Sequence, residues 1–428
     1  MLLKIYVVMP GDSLWSIAKR FQSDVDSIAK YNGLNIQENL VIGQSLLIPS
    51  KEIQYKVVAG DSLWSIGREF GVSVESIIEL NNLSNDNLVP GEILRIPEMA
   101  KLYGSIQVNG YIQPTNVEKE TRILDESINY LTYVSPFSYH VNDDGTLKPI
   151  NDETIIEIAL KNRVAPMMSV TNISGDNFDT SLVDTILNDE SLQQKLINNI
   201  LNILREKSYY GVIIDFERIS PVNREKYNNF LRKVVSALHP KYLVATALAP
   251  KTFDITTGSW HGAHDYKSHG EIVDFVIIMT YEWGWSGGEP MAVAPINEVE
   301  KVIKYAISVI PKNKIMMGIP NYGYDWTLPY TPGAEFARAI GNEEAIDIAR
   351  NNRANIKFDE KSQSPFFNYY DKNGRAHVVW FEDARSIESK LKLVNKYGLR
   401  GISYWVLSKP FTQNFKLLDN MFNIEKII

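Results

Sequence analysis

The chain has 428 residues, 44% hydrophobic and 22% charged, with a formal charge of −7 and no cysteine. That length predicts two or three folding units of ordinary soluble composition. The negative balance argues against nucleic acid as a partner and against long-range capture of an anionic polymer, and the lack of cysteine removes disulfides, thiolate catalysis and cysteine-bound metal.

At the N-terminus, Met1 to Met9 carries one lysine and a short β-like run before Pro10-Gly11-Asp12, without the apolar core or cleavage site of a classical signal peptide. No stretch is long and apolar enough to span a membrane. Residues 4–49 return as 53–97 at a spacing of 49 that drifts to 48. Gly11-Asp12-Ser13-Leu14-Trp15-Ser16-Ile17 recurs as Gly60-Asp61-Ser62-Leu63-Trp64-Ser65-Ile66, and Asn32, Gly43 and Ile48-Pro49 recur as Asn81, Gly91 and Ile96-Pro97. Each copy reads as strand, helix, helix, strand. Asp12 is expected to cap a helix whose apolar stripe is Leu14, Ile17, Ala18 and Phe21; the second copy offers Leu63, Ile66, Gly67 and Phe70. Trp15 and Trp64 fall off that stripe and read either as partly buried props or as contacts, with the prop preferred.

This repeat resembles the LysM domain, a βααβ module that binds glycans containing N-acetylglucosamine. The resemblance implies a groove between the strand-to-helix loop and the loop before the last strand. Its matching positions are Gly11, Asp12, Ser13 and Leu14 with Val41, Ile42 and Gly43, and Gly60, Asp61, Ser62 and Leu63 with Val89, Pro90 and Gly91. The Gly-Asp-Ser run also serves as a chain turn and helix cap. The modules are assigned to residues 1–50 and 51–98.

From about residue 100 strands and helices alternate. Candidate strands lie at 103–109, 130–136, 163–170, 211–217, 243–249, 275–281, 314–319 and 400–406, with amphipathic stretches such as 152–162, 191–207, 222–238, 295–310 and 383–397 between them. Eight alternations predict an α/β fold, a (β/α)8 barrel over 99–428. The long gap before the last strand predicts an α+β insertion at about 325–380, with Phe366–Tyr370 and His377–Phe381 paired around Asp371-Lys372-Asn373-Gly374 as a hairpin.

Reactive side chains of such a barrel stand at the C-terminal ends of strands. In Tyr210-Gly211-Val212-Ile213-Ile214-Asp215-Phe216-Glu217, alternation aims Ile213, Asp215 and Glu217 into the barrel. Two carboxyls on one face repel and resist burial as charges, which raises at least one pKa, as a general acid needs. The bland reading is an ion pair with Arg218 or Lys251. Spacing alone leaves both open.

The segment is similar to the Asp-Gly-x-Asp-x-Asp-x-Glu signature of glycoside hydrolase family 18, the chitinase-like enzymes. Gly211, Asp215 and Glu217 match; Tyr210 and Ile213 replace the first two aspartates. Met279-Thr280-Tyr281, Gly318-Ile319-Pro320-Asn321-Tyr322-Gly323 and Trp405 agree in the order expected of the sixth, seventh and eighth strands. The resemblance implies a retaining, substrate-assisted mechanism. Glu217 is then the acid and later the base, Asp215 the orienter of the substrate's acetamide, and Tyr281 a donor to the acetamide oxygen. Trp405 lies under the reacting sugar. Ile213 removes the partner that the family gives Asp215, and Glu282 stands where the family often has aspartate. No cofactor is implied.

Trp260, Trp283, Trp285 and Trp326 follow predicted strand ends, where an indole face can stack on a pyranose, although one or two are expected to be core. Trp260, Trp283, Trp285, Glu282 and Tyr322 join Trp405 as candidate substrate-binding residues. His261, His264 and His269 with Asp265 suggest a metal cluster, but their irregular spacing on a loop favours hydrogen bonding, and no metal site is assigned. Two LysM-like modules before a family-18-like barrel resemble the spore cortex-lytic N-acetylglucosaminidases of Bacillus-type bacteria. That architecture implies a peptidoglycan hydrolase associated with spore coat, cortex or cell wall. A chitinase or chito-oligosaccharidase and a non-catalytic wall-binding protein are the alternatives.

Overall fold

The structure is a computed structural model describing residues 2–50, 53–70, 72–96, 103–333 and 335–428. The expected module boundaries at 51 and at 98–99 fall outside the described residues.

Both repeats fold as βααβ units. In the first, Leu2–Val7 pairs antiparallel with Ser45–Ser50, accompanied by helices Leu14–Phe21 and Val25–Asn32. In the second, Ile53–Lys56 pairs with Ile93–Ile96, accompanied by helices Leu63–Phe70 and Val74–Asn81. Leu14, Ile17 and Ala18 and their counterparts Leu63, Ile66 and Gly67 are buried as the periodicity requires, while Phe21 and Phe70 at the stripe ends are half-buried.

Two local expectations are corrected. Ser13, not Asp12, caps the first helix: its hydroxyl accepts from the Ser16 amide, and Ser16 returns a bond to the Ser13 amide. Asp12 instead ties the preceding turn, accepting from Tyr6 Oη and from the Met9 amide at 2.8 Å. Trp15 and Trp64 are not props; they are 65% and 64% exposed, with Lys19 over one ring and Arg68 over the other. One residue past Leu14 or Leu63 lies about 100° around the helix, away from the core stripe.

The remainder is a closed barrel. Its parallel strands are Ser105–Ile112, Tyr133–Pro136, Ala165–Thr171, Gly211–Asp215, Leu243–Leu248, Phe275–Ile278, Ile315–Pro320 and Gly401–Trp405. Each pairs with the next in chain order, and the eighth returns to the first with Gly401 opposite Gln107. Alternation sorts the side chains: Met167, Ile213, Ala245, Ile277 and Met316 fill the interior, while Val212, Ile214 and Val244 face the helices.

An insertion follows the seventh strand. Its five-stranded antiparallel sheet runs in the order Arg338–Gly341, Tyr322–Thr327, Ala376–Trp380, Ser364–Tyr370, Lys357–Asp359, with helix Asn342–Asn351. The hairpin pairs Phe366 with Trp380 and Tyr370 with Ala376. The sheet begins at Tyr322 rather than 325, so the Tyr322-Gly323 end of the seventh-strand motif belongs to the insertion. The first βααβ module packs against this insertion, with Val41 in its core beside Ile340, Ala345 and Phe367.

Candidate active site

Asp215 ends the fourth strand and Glu217 follows two residues on, so both carboxyls reach the C-terminal mouth of the barrel. The turn carrying them is braced from two sides. Asn172 donates to the Glu217 carbonyl at 2.8 Å and accepts from its amide at 2.9 Å. His264 accepts from the Ala249 amide at 2.9 Å and binds the Phe216 carbonyl at 3.0 Å through its other nitrogen. Burial lowers its pKa to about 4, so it stays neutral and bridges the fourth and fifth strand ends.

Asp215 and Glu217 open onto a cavity of about 350 Å³, within the range of small-ligand sites. Tyr281, Glu282, Tyr322, Trp260 and Trp405 also line it, together with Tyr111, Phe137, Phe178 and Tyr324. No contact ion pair to either acid occurs among the described residues, although the charge of Arg218 acts on Glu217. Lys251 directs its ammonium to the His264 carbonyl at 2.6 Å and to Asp254, and Oδ1 of Asp215 is buried with no hydrogen-bond partner among the described residues. Burial raises the Asp215 carboxyl well above the ordinary aspartate range. Glu217 is also raised, by burial and then by the charge of Asp215, with Arg218 opposing and Glu282 adding. A raised carboxyl pKa favours the protonated form that a general acid needs.

Tyr281 stands on a tight turn after the sixth strand, where the Tyr281 amide donates to the Met279 carbonyl at 2.8 Å. Gly318 on the seventh strand makes room for it: a Cβ there would lie 2.7 Å from the tyrosine ring and 2.7 Å from the Ile278 carbonyl. Burial, then the charges of Asp215 and Glu217, raise the phenol far above its usual value, so it remains a donor. Glu282 follows with φ of 70° and accepts from Tyr322 and, at 3.0 Å, from Tyr324. The insertion's first strand thus holds one wall of the site. Trp405 packs edge-on against Phe137 at 4.6 Å and Tyr111 at 5.5 Å, with its carbonyl accepting from the Asn321 amide at 2.7 Å.

The tryptophans divide. Trp260 lines the cavity and stacks on His261. Trp283 lines an adjoining hollow and is partly buried. Trp285 is 47% exposed against Phe336, outside the cavity. Trp326 is buried, its indole N–H donating to the Gly288 carbonyl at 3.0 Å, so it is core. Among the histidines, His269 engages Thr246 at 3.1 Å, Asp265 caps helix Tyr266–Ile272 and pairs with Arg224, and no group of three or more potential metal ligands occurs among the described residues.

In the modules, Gly11, Ser13, Ile42, Gly60, Ser62 and Pro90 are exposed, whereas Leu14 and Leu63 are buried in the two cores. Asp12 and Asp61 point to the tyrosines at 6 and 55. Ending the first strand at 109 hides Tyr111; carried to Ile112, strand alternation places Tyr111 at the interior mouth, while Phe137 directly follows the second strand's end at Pro136.

Comparison with known proteins agrees with this geometry. The model of glycosyl hydrolases family 18 matches residues 107–409, and that of the LysM domain matches 6–49 and 55–97. The chain is 44% identical over 430 residues to the cortical fragment-lytic enzyme of Bacillus anthracis, covering 99% of this chain and 100% of the relative. It is 36% identical to the putative sporulation-specific glycosylase YdhD of Bacillus subtilis, covering 99% and 100%. The crystal structure of the spore cortex-lytic enzyme SleL of Bacillus megaterium QM B1551 superposes with a TM-score of 0.90 at 41% identity, covering 100% of this chain and 99% of that one. With the barrel closed, the acid pair at its mouth and the match spanning most of its length, the chain is a glycoside hydrolase and belongs to glycosyl hydrolases family 18.

Proposed function

We propose that this enzyme hydrolyses the bond after N-acetylglucosamine in spore cortex peptidoglycan, by a retaining, substrate-assisted route. The observation that carries the chemistry is the placement of Asp215 and Glu217 together in the wall of one cavity at the C-terminal end of the fourth strand. The relatives' names, cortical fragment-lytic and spore cortex-lytic, support the substrate.

Glu217 gives its proton to the glycosidic oxygen as the C1–O bond breaks. The substrate's acetamide oxygen attacks C1 and closes an oxazolinium ring. Asp215 accepts the acetamide N–H and offsets the growing positive charge, while Tyr281 donates to the acetamide oxygen. Water then attacks C1, the ring's C1–O bond breaks, and Glu217 recovers a proton from the water. Two inversions at C1 retain configuration. Trp405, edge-packed by Phe137 and Tyr111, presents a fixed aromatic floor to the sugar. Ile213 places an apolar contact where a second acid would share Asp215's proton, so the sugar amide is the natural partner of Asp215.

The LysM modules support association with cell wall or spore cortex, and among the described residues no helix is long and apolar enough to cross a membrane. The test incubates wild type and Glu217→Gln with solubilised cortex fragments and counts new reducing ends. Loss of the general acid is expected to cost at least about a hundredfold. Equal inertness of both proteins would favour a binding protein, and cleavage of chitin oligomers but not muropeptides would favour a chitinase.

A further inference from the structure

The two modules are near copies in sequence, so a difference in their surroundings is an internally controlled comparison. Both turns before the last strand are built alike. The Gln44 amide donates to Val41 at 3.0 Å and the Glu92 amide to Val89 at 2.9 Å, with Gly43 at φ 86° and Gly91 at φ 95°. Ile42 and Pro90 occupy the same corner, where a type II turn accepts proline. The backbone therefore does not distinguish the modules. Their neighbours do.

In the second module both walls of the groove are open. Val58 on one and Val89 on the other are 57% and 66% exposed, and a Cβ at Gly60 or Gly91 would meet nothing within 4 Å among the described residues. In the first module the strand-to-helix wall is equally open, with Met9 60% exposed and space beside Gly11. The other wall is closed. Val41, the counterpart of Val89, is 5% exposed. Gly43 lies so tightly against Ile356 that a Cβ would stand 1.9 Å from its carbonyl oxygen. Three carbonyls of this loop are already engaged: Asn39 by Arg350 at 2.9 Å, Ile42 by the Ile356 amide at 2.9 Å, and Gly43 by Arg385 at 3.2 Å. Arg350 also pairs with Glu38 at 2.9 Å. Sugar hydroxyls and acetamides need open backbone groups and open apolar surface; on this wall the carbonyls of Asn39, Ile42 and Gly43 are engaged and Val41 is buried, with the Ile42 side chain left exposed at the corner.

We infer that the tandem modules are unequal. The second grips N-acetylglucosamine glycan, and the first, with one groove wall docked on the insertion, is a fixed bracket between that grip and the catalytic barrel. The inference rests on the wall-binding reading of the modules. It removes the avidity expected when two linked sites engage one polymer, leaving wall affinity to one module.

The test uses the full chain carrying Glu217→Gln, so that the wall stays intact, and measures co-sedimentation with purified cortex peptidoglycan. Val58→Glu with Val89→Glu is compared with Met9→Glu and Ile42→Glu, all exposed positions, with thermal unfolding confirming that each protein is folded. The second-module pair is expected to weaken binding about tenfold or more, and the first-module pair less than about twofold. Equal losses, or a larger loss from the first-module pair, overturn the inference. If neither pair nor removal of residues 1–97 weakens binding, the wall-binding reading itself fails and the inference goes with it.

Discussion

Two carboxyls at one barrel mouth must divide their labour, and their surroundings decide how. Both carboxyls are raised by burial, and Glu217 also feels Asp215's charge. Activity should therefore fall as pH drops and Asp215 takes up a proton, and fall again as pH rises and Glu217 loses its own. Glu282 is one of the charges holding Glu217 up. Glu282→Gln removes it, lowers the Glu217 pKa and should shift the alkaline limb of kcat/KM to lower pH; an unmoved limb would show that Glu282 does not sense the acid. The histidine loop has an equally local explanation. His264 joins the Ala249 amide to the Phe216 carbonyl, so a residue that looked like a metal ligand instead fixes the turn that aims Glu217.

Within each module one asparagine ties the second helix to the last strand. Asn81 donates to the Ile77 and Arg95 carbonyls and accepts from the Arg95 amide; Asn32 does the same with Ile28 and Leu47. Removing such a side chain leaves backbone groups unsatisfied at about 1–3 kcal/mol each. Asn81→Ala is thus expected to open the second module first, seen as early proteolysis between 53 and 96, while turnover of short soluble fragments holds. Loss of that turnover would mean the module supports the barrel. The insertion acts differently: its first strand carries Tyr322 and Tyr324 to Glu282, so a peripheral sheet shapes the catalytic wall.

Across the whole molecule, the docked first module means that removing residues 1–97 does more than detach an anchor. It bares the apolar patch under Val41, whose burial stabilises by about 1.5–3 kcal/mol. The truncated enzyme should bind intact wall less, melt at lower temperature, and still cleave short fragments at wild-type rate well below that melting point. An equal loss on short fragments would place the modules in catalysis.

Periodicity and repetition made the modules, the eight alternating strands, the hairpin at 371–374 and the inward face of 213, 215 and 217 legible from the chain alone, because each depends on spacings of two to four residues or on self-similarity. Burial that depends on distant segments was not legible. Trp15 lies in solvent, Trp326 in the core, Tyr111 at the site, and Val41 is covered while its twin Val89 is bare. The two valines sit in the same Asn-Leu-Val-x-Gly turn, and their burial differs with what the rest of the chain brings against them. Local pattern specifies the turn; only tertiary packing decides whether that turn faces a glycan or another part of the same protein.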